Sequence, residues 1–458
     1  MTAVFTGEEI LDICKARLAS GLMPDEAAPV VSDTRLLSEG QWYLAFAGDK
    51  FDGHDFLGDA FAAGALGAIV QERPNYPIGS QQFPLLAVED TLAAYHALAR
   101  NWRKRISPKV VGITGSSGKT TSKEMCASVF CNSRRCHYSV KNENNEFGVP
   151  KTLLAMPDDT QVAVIEMAMR GLTQIEALAK CALPNIGIIT NAGTAHIELL
   201  GSRENIAKAK CELLEQMDKK RGLAILGSNA EHLLARARAV FDGRMLIFSE
   251  DEIEIIEVDT ESSRFRLKDS PVIFKVRAHG MPLIADAWCA IVAGRELGLS
   301  DAEIADGLSF YQAIGGRGNK MTSLSGALII DETYNANPDS VKAAVSALVD
   351  KNAYPQSKKI VVLGDLLELG AQAPDLLEEL GTWLKSHPLH LLITVGSLAR
   401  HIYVGAAGAD FEVLHCQDMS VAEAELEKRS DQDSCVLVKG SRGARLDKLV
   451  LALSKKNG

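Results

Sequence analysis

A glycine-rich segment at residues 109–121 constrains the fold of this chain more than any other feature of the sequence. The segment reads Lys-Val-Val-Gly-Ile-Thr-Gly-Ser-Ser-Gly-Lys-Thr-Thr. Its apolar first half predicts a buried strand, and Gly115 and Gly118 predict a turn that leads into a helix. Backbone N–H groups converge in such a turn, and the helix N-terminus adds a positive dipole. The segment therefore predicts a phosphate loop.

The residues of this phosphate loop (residues 114–120) have predicted roles in binding a nucleotide. Lys119 is expected to reach the outer phosphates, and the Thr120 hydroxyl is expected to bind a nucleotide-bound Mg²⁺. The general P-loop pattern requires a glycine five residues before Gly118, where this chain has Ile113. A strand, turn and helix without a ligand is therefore the alternative, but the apolar strand before the turn favours phosphate binding. The expected nucleotide contacts are Thr114, Gly115, Ser116, Ser117, Gly118, Lys119 and Thr120.

Length and charge limit the class of protein further. The 458 residues are enough for about three domains, and 59 acidic against 49 basic residues give a net charge of −10. Because no block of like charge occurs, neither nucleic acid nor an anionic membrane is expected as a partner. The N-terminus lacks the segments of a signal peptide, and no apolar run is long enough to span a bilayer. We therefore expect a cytoplasmic protein with no membrane insertion.

The order of strand and helix patterns predicts three α/β domains. Residues 1–105 mix short strand and helix patterns and predict a small N-terminal α/β domain. Residues 106–313 alternate strands with helices, which predicts a central P-loop domain with a doubly wound, mostly parallel sheet. Within it, residues 244–277 change to period two and predict an antiparallel appendage. Residues 314–458 alternate again and predict a Rossmann-like C-terminal domain.

Polar residues stand at the ends of two predicted strands of the central domain. Glu166 ends one strand, Asn191 follows the next, and His196 lies in the loop after it. Taken alone, Glu166 is as typical of a solvated strand end as of a site, and His196 is more typical of a loop than of a ligand. Ligands of open α/β sheets bind at the carboxyl ends of the strands. Beside a phosphate loop, Glu166 and His196 are therefore candidate ligands of a nucleotide-bound Mg²⁺.

The complete series of motifs resembles the Mur ligase family. The resemblance covers nearly the whole chain and keeps the family order. It rests on Asp33-Thr34-Arg35, Asp52-Gly53-His54, the phosphate loop, residues 142–150, 166–171, 190–197 and 207–212, and then 316–318, 331–338, 362–370 and 438–442.

Membership of this family implies an ATP-dependent ligase of cytoplasmic peptidoglycan synthesis. ATP would activate the terminal carboxylate of a UDP-N-acetylmuramoyl tripeptide as an acyl phosphate, and the amine of D-alanyl-D-alanine would attack it. Two Mg²⁺ ions would balance the charge of the triphosphate. The protein is expected to act as a monomer.

The resemblance also implies a catalytic centre. Lys119 would contact phosphate, and Thr120 and Glu166 would hold one Mg²⁺. His196 would hold the second ion together with Lys210, which aligns with a lysine that Mur ligases carry as a carbamate. The alternative interpretation, without a functional role, is that Lys210 is a cation on a helix surface.

Further implied contacts involve the nucleotide and the peptide substrate. Arg317 is expected to touch the γ-phosphate and Asp331 the ribose, and Asn191, Asn335 and Asn337 are further nucleotide contacts. The first domain would hold the UDP end of the substrate. The expected substrate contacts are Thr34, Arg35, Asn142, Asn145, Lys439, Ser441 and Arg442. An asparagine-rich loop is also typical of turns.

The chain departs from the family at the helix that borders the adenine. The family usually has Gly-x-His-Asn-x-x-Asn there, whereas this chain has Gly-Met-Pro-Leu-Ile-Ala-Asp at residues 280–286. Leu283 cannot hydrogen-bond a base. Recognition of the adenine is therefore expected from Asp286, from backbone groups or from the region of Asn335 and Asn337.

Two other functions remain open at this point. A diamino-acid-adding Mur ligase shares the phosphate loop but carries Asp-Asn-Pro-Arg in its last domain, and that tetrapeptide is absent here. A catalytically inactive nucleotide-binding paralogue is the second alternative, because the adenine helix is altered. The joint presence of Lys119, Glu166, His196 and Lys210 argues against a decayed enzyme.

Overall fold

A computed structural model describes residues 2–48, 52–73, 76 and 83–454 of the chain. These residues form four β-sheets with helices packed on their faces. The architecture is the predicted three-domain α/β fold. The outer limits of the first and last predicted domains, Met1 and Gly458, lie outside the described residues.

The first domain is built on a mixed five-stranded sheet. Its elements are α1 (Gly7–Cys14), β1 (Arg17–Ser20), β2 (Val30–Val31), β3 (Trp42–Leu44), α2 (Leu57–Ala62), β4 (Gly67–Gln71), β5 (Leu85–Val88) and α3 (Thr91–Ile106). The strand order is β1-β5-β4-β3-β2, in which β1 runs antiparallel to β5 and the other pairs are parallel.

The Asp52-Gly53-His54 motif has a structural role in this domain. His54 is fully buried, its Nδ1 lies 2.6 Å from Asp52 Oδ1, and its Nε2 accepts a hydrogen bond of 2.9 Å from the Gln71 N–H. Burial lowers the pKa of His54, although Asp52 acts in the opposite direction. The neutral ring therefore joins the turn before α2 to the end of β4.

The central domain contains the phosphate loop at the middle of a parallel six-stranded sheet. Its elements are β6 (Lys109–Thr114), α4 (Lys119–Ser133), β7 (Cys136–Tyr138), α5 (Gly148–Leu154), β8 (Val162–Glu166), α6 (Gln174–Ala182), β9 (Ile186–Ile189), α7 (Ile197–Leu200), α8 (Arg203–Glu215), β10 (Leu223–Leu226), α9 (Glu231–Val240) and β11 (Arg244–Ile247). The order is β11-β10-β9-β6-β8-β7. Ile113 pairs with Glu166 and Thr114 with Ile189, so three functional strand ends meet at one edge.

An antiparallel sheet and two helices complete the central domain. They are β12 (Ile253–Val258), β13 (Ser263–Leu267), β14 (Ile273–Val276), α10 (Met281–Glu296) and α11 (Asp301–Ser309). The antiparallel appendage was predicted over residues 244–277, but the first strand in that range, β11, pairs in parallel with β10. The prediction was therefore wrong at the start of the range. Both α10 and α11 pack against α4, the helix that follows the phosphate loop.

The last domain has a second six-stranded sheet. Its elements are β15 (Asn319–Thr322), β16 (Leu328–Glu332), α12 (Pro338–Leu348), β17 (Lys358–Gly364), α13 (Ala373–Leu384), β18 (Leu391–Val395), α14 (Ala399–Gly405), β19 (Glu412–Cys416), α15 (Met419–Arg429), β20 (Ser434–Lys439) and α16 (Asp447–Leu453). The order is β15-β16-β20-β17-β18-β19, and only the β15–β16 pair in this sheet is antiparallel. The carboxyl ends of β16 and β20 face the central domain's site.

The first domain is fixed to the central domain through α3. Trp102 Nε1 donates to the Met156 carbonyl at 2.9 Å, and Arg103 Nε donates to the Ala182 carbonyl at 2.8 Å. Both side chains are buried. In the part of the chain that the structure describes, no helix has the length and apolar character needed to cross a membrane.

Candidate active site at the carboxyl edge of the central sheet

A cavity of about 1260 Å³ opens at the carboxyl ends of the central strands and is closed on its other side by the last domain. Its volume exceeds the range of about 300–1,000 Å³ that drug-sized ligands occupy. The predicted site residues that line it are Ser116, Ser117, Gly118, Lys119, Thr120, Asn142, Asn145, Glu166, Asn191, His196, Arg317, Asn335, Asn337, Lys439, Ser441 and Arg442. Those that do not line it are Thr34, Arg35, Thr114, Gly115, Lys210 and Asp331.

The two glycines of the phosphate loop are required by close packing. A Cβ at Gly115 would lie 1.8 Å from Thr190 Oγ1, so no side chain fits there. Gly118 has φ +78° and caps the N-terminus of α4 in a left-handed conformation that favours glycine. The loop therefore places backbone N–H groups and a helix N-terminus at the cavity wall, which is the arrangement that binds phosphate.

Lys119 folds back over the phosphate loop. Its Nζ donates to the Gly115 carbonyl at 2.7 Å. Burial lowers the pKa of this amine, the Arg317 charge lowers it further, and the carboxylates of Glu166 and Glu368 act in the opposite direction. The lowered pKa means that this cation is poorly solvated where it stands, and an anionic phosphate would stabilise it.

Asn191 holds the phosphate loop from the neighbouring strand. Its Oδ1 accepts hydrogen bonds from the N–H groups of Ser116 at 3.1 Å and Ser117 at 3.0 Å. Its Nδ2 donates to Ser117 Oγ at 2.9 Å, and Thr190 Oγ1 donates to the Ser117 carbonyl at 2.5 Å. Asn191 therefore shapes the loop through contacts of its own, in addition to lining the cavity.

Glu166 offers one free carboxylate oxygen beside the loop. The residue is 1% exposed, and its Oε1 accepts from Thr120 Oγ1 at 3.2 Å and from Asn144 Nδ2 at 2.8 Å. Its Oε2 is buried and has no hydrogen-bond partner among the described residues. A buried carboxylate oxygen without a partner is costly unless a ligand satisfies it. The Thr120 hydroxyl and this oxygen therefore fit a hard cation such as Mg²⁺.

His196 meets the last domain at the cavity rim. Its Nδ1 lies 2.7 Å from Glu368 Oε2, and the Glu198 N–H donates to the Glu368 carbonyl at 3.2 Å. The hydrogen bond to His196 lowers the pKa of Glu368. Across residues 2–48, 52–73, 76 and 83–454, no three His, Cys, Asp or Glu side chains form a ready metal cluster.

Lys210 is buried on α8 behind the cavity wall. It is 1% exposed, and its amine makes no hydrogen bond or ion pair with any described residue. Burial lowers the pKa of Lys210 well below its ordinary value, and the charge of Lys119 adds to this effect. The alternative interpretation of Lys210 as a cation on a helix surface is wrong, because the side chain is buried.

The last domain brings cations to the cavity around Tyr334. The guanidinium carbon of Arg317 lies 4.0 Å from the Tyr334 ring centroid, and that of Arg442 lies 5.4 Å from it. Lys439 Nζ donates to Glu332 Oε2 at 3.0 Å and to the Asn335 carbonyl at 3.1 Å. Lys439 is thus paired with an acid, whereas Arg317 and Arg442 offer this wall of the cavity positive charge that suits anionic groups.

Ser441 fixes two loops of the same wall. Its hydroxyl accepts from the Leu367 N–H at 2.9 Å and donates to the Ala336 carbonyl at 3.3 Å. This side chain is 4% exposed. The contacts indicate a role in positioning the loops that follow β16 and β17.

Asp331 points away from the cavity. The flanking residues Ile330 and Glu332 line the cavity, and successive side chains of a strand point to opposite faces. Asp331 Oδ1 instead accepts from the backbone N of Thr333 at 3.0 Å and from its hydroxyl at 2.6 Å.

Two of the predicted asparagine contacts cap helices. Asn337 Oδ1 accepts from the Ser340 N–H at 2.8 Å and forms the N-cap of α12. Asn145 Oδ1 accepts from the Gly148 N–H at 2.9 Å at the start of α5. The turn-forming alternative for the asparagine-rich loop therefore has structural support at Asn145, and Asn337 has a capping role.

The predicted UDP contacts lie on the first domain outside the cavity wall. Arg35 Nη2 lies 2.7 Å from Asp33 Oδ2, and this exposed pair lowers the pKa of Asp33 to about 2. No described residue of the first domain lines the cavity, but this domain packs on the central-domain loop that follows β7, which carries the cavity residues Asn142 and Asn145. There the Phe46 and Phe147 rings pack at 5.0 Å, edge to face.

Two functional-site residues were missed by the sequence analysis or given a different role. Asp339 accepts from Thr194 across the domain interface, and no local pattern in the sequence indicates that contact. Asp286 was considered for adenine recognition, but it packs against Gly118 and accepts from Ser122.

Comparison with known proteins identifies the class to which this fold and site belong. The profile of the Mur ligase middle domain matches residues 113–294, and that of the Mur ligase glutamate ligase domain matches residues 316–442. The chain belongs to the Mur ligase family, as the sequence motifs predicted.

The similar relatives point to one branch of this family. The UDP-N-acetylmuramoyl-tripeptide--D-alanyl-D-alanine ligase of Bacillus subtilis is 33% identical over 428 residues, which cover 92% of each chain. The ligase of the same name from Synechocystis is 34% identical, covering 93% of this chain and 92% of its own. Among solved structures, MurF from Acinetobacter baumannii superposes with a TM-score of 0.88 at 28% identity, covering 99% of this chain and 100% of its own. MurF from Thermotoga maritima, solved in complex with ADP, has a TM-score of 0.82 at 27% identity, covering 94% and 97%.

Proposed function

We propose that this protein is the ATP-dependent ligase that joins D-alanyl-D-alanine to UDP-N-acetylmuramoyl tripeptide in peptidoglycan precursor synthesis. One observation carries the proposal: the phosphate loop of the central domain and the cations of the last domain line a single cavity. A ligase of this type must hold a triphosphate, a carboxylate and an amine together, and that cavity has the volume and the charge to do so. The names of the similar relatives support this choice of substrates.

The proposed chemistry proceeds in two steps. An oxygen of the tripeptide's terminal carboxylate attacks the γ-phosphorus of ATP, the bond to the β–γ bridging oxygen breaks, and ADP leaves. The D-alanyl-D-alanine amine then attacks the acyl carbon, loses a proton, and expels phosphate as the amide forms. Lys119 and Arg317 would stabilise the charge on the transferring phosphoryl group.

The wall of the cavity that carries Arg317, Lys439 and Arg442 is the proposed site for the reacting carboxyl groups. Lys439 and Arg442 both line it, and Lys439 already contacts the Glu332 carboxylate at 3.0 Å. A tripeptide or dipeptide carboxylate would find the same charge-assisted hydrogen bonds there. Asn142 lines the opposite side of the cavity and is the proposed contact for the muramoyl group.

Two Mg²⁺ ions are proposed to act with the nucleotide, and they would offset the negative charge that develops on the phosphates. Thr120 and Glu166 would hold one ion, since the free Glu166 Oε2 is an oxygen ligand without another partner. His196 and a carbamate on Lys210 would hold the second. A carbamate requires an uncharged amine, and burial of Lys210 favours that state.

The remaining parts of the proposal concern the rest of the substrate and the setting. Thr34 and Arg35 of the first domain would contact the UDP end, outside the cavity that holds the reacting groups. We propose that the protein carries out the reaction as a monomer. We place the reaction in the cytoplasm, where ATP is available.

Phosphate release in a substrate panel tests the proposal. The panel pairs UDP-N-acetylmuramoyl tripeptides ending in diaminopimelate or lysine, and the UDP-N-acetylmuramoyl dipeptide, with D-alanyl-D-alanine, other D-amino dipeptides and a free diamino acid. We expect release only when a tripeptide, ATP and D-alanyl-D-alanine are all present. Turnover with the free diamino acid and a dipeptide-linked nucleotide would identify the diamino-acid-adding alternative. ATP binding without turnover on any pair would identify an inactive paralogue.

A further inference from the structure

Asp286 is a buried carboxyl group against the phosphate loop to which the proposed chemistry gives no role. It lies on α10, is 6% exposed, and its Oδ1 accepts a hydrogen bond of 2.7 Å from Ser122 Oγ. A Cβ at Gly118 would lie 2.6 Å from Oδ1 and 2.8 Å from Oδ2, so the carboxyl group rests on the loop backbone. Asp286 lines the cavity, and its Oδ2 makes no hydrogen bond with the described residues.

Among the titratable groups that face one another around Asp286, Asp286 is the one that titrates near neutral pH. Cys126 of α4, Cys289 of α10 and Tyr311 after α11 face it, and burial raises the pKa of all three. They stay neutral up to pH 9. Arg317 of the last domain supplies a nearby positive charge but no ion pair. Burial outweighs that charge and the Ser122 hydrogen bond, and it raises the pKa of Asp286 to about 8.

We propose that Asp286 is a neutral carboxylic acid that donates a hydrogen bond from Oδ2 to a phosphate oxygen of the bound nucleotide. The inference rests on the proposed binding of ATP at the phosphate loop. Because Oδ1 already accepts from Ser122, the acid proton belongs on Oδ2, which faces the cavity. Contact with Gly118 places this donor at the phosphates. An ionised carboxylate at the same position would repel them.

Binding of a non-hydrolysable ATP analogue, measured by calorimetry on the full chain without peptide substrate, tests this inference. With its pKa near 8, Asp286 keeps its proton at pH 7 and loses most of it by pH 9, so wild-type affinity is expected to fall about tenfold. Asp286→Asn keeps a donor of the same shape that does not titrate. It is expected to bind within about threefold of wild type at pH 7 and to lose less affinity by pH 9.

The same comparison separates Asp286 from Lys119, because burial also lowers the pKa of the lysine amine. Any loss of affinity due to Lys119 is shared by wild type and Asp286→Asn. The ratio of their affinities at each pH therefore isolates the contribution of the Asp286 carboxyl group. Asp286→Ala removes the donor and is expected to bind more weakly than either at pH 7, with the pH dependence of Asp286→Asn.

Three results would overturn the inference. They are equal pH dependence in wild type and Asp286→Asn, wild-type affinity in Asp286→Ala at pH 7, and a pH effect on the ATP analogue that is absent with inorganic tripolyphosphate. The last result would assign the donor to the base or ribose. Failure of wild type to bind any nucleotide would instead overturn the proposed function.

Discussion

Asp339 of the last domain accepts two hydrogen bonds from Thr194 of the central domain. Its Oδ2 lies 2.8 Å from the Thr194 backbone N and 2.9 Å from the hydroxyl. A Cβ at the neighbouring Gly193 would lie 2.3 Å from the same oxygen, so the two segments approach closely there. This contact stands next to His196 and holds the last domain over the phosphate loop.

We expect Asp339→Ala to favour a more open arrangement of the domains. Small-angle scattering should show a larger radius of gyration than wild type, and turnover should fall by about tenfold because closure completes the site. Asp410→Ala is the matched control, since Asp410 is an exposed acid of the same domain whose side chain forms no hydrogen bond or ion pair with the described residues. An unchanged radius with normal turnover would show that this contact does not control closure.

Lys119→Ala is expected to abolish turnover and leave the fold intact. The one hydrogen bond of this side chain to a described residue is with the Gly115 carbonyl, so the loop keeps its other hydrogen bonds when the side chain is removed. Removing a cation from the transferring phosphoryl group should lower the rate by about a thousandfold. The measurements are phosphate release and a thermal melt. Lys109→Ala, at the exposed start of β6, is the control. More than a tenth of wild-type activity in Lys119→Ala would contradict the role.

Sequence reasoning identified the parts of the fold and site that depend on local patterns. Glycines and apolar strand residues determine the phosphate loop, and the parallel register then brings Glu166 and Asn191 to it. Family motifs added Lys210 and Arg317, which no local pattern distinguishes from surface cations.

The remaining features depend on contacts between distant segments. Whether the Asp331 side chain points into the cavity or away from it depends on the residue at which β16 begins. Sequence patterns do not specify that residue. The contact of Asp339 with Thr194 joins residues 145 positions apart. Asn145 and Asn337 were predicted as ligand contacts, and their capping bonds became visible only once the helix starts were known.

Selection between ATP and GTP is expected to be weak. Leu283 lines the cavity where the family usually has an asparagine, and it offers no hydrogen bond to penalise the wrong base. Competition binding should give Kd values within about tenfold of each other. Leu283→Asn restores an amide and should increase the preference for ATP. A strong preference for ATP in wild type would mean that other groups read the base.

Asp286 also predicts how stability depends on pH. Its folded-state pKa of about 8 lies above the unfolded value of about 4, so the folded state retains a proton that the unfolded chain releases. The stabilising effect of that proton is complete below pH 4 and is lost as the pH rises through 8. The resulting cost reaches about 4 kcal/mol at pH 7.

Asp286→Asn should therefore raise the melting temperature at pH 8 and change it little at pH 4. Thermal melts of both proteins across this range provide the measurement. Asp410→Asn, an exposed aspartate, should show no such difference. Equal shifts at both pH values would mean that the substitution acts through packing, not through ionisation.

The last prediction concerns a carbamate on Lys210. A lysine ammonium about 4 Å from a divalent cation would cost about 8 kcal/mol at an effective dielectric of about 20. Conversion to a carbamate by CO₂ reverses the sign of this interaction and supplies oxygens to a hard cation. The low pKa of the buried amine favours the uncharged form that reacts with CO₂. We therefore expect Lys210→Ala to be nearly inactive.

Three measurements distinguish a carbamate from a structural lysine. Short carboxylates should partly restore the activity of Lys210→Ala, because they replace the missing oxygens. Carbon-13 NMR in labelled bicarbonate should show one carbamate carbon in wild type that is absent from Lys210→Ala. Lys208→Ala, on the exposed face of the same helix, should keep both the signal and the activity. A free Lys210 amine in protein with Mg²⁺ and nucleotide bound would refute the carbamate, because an ammonium beside the second ion is unfavourable.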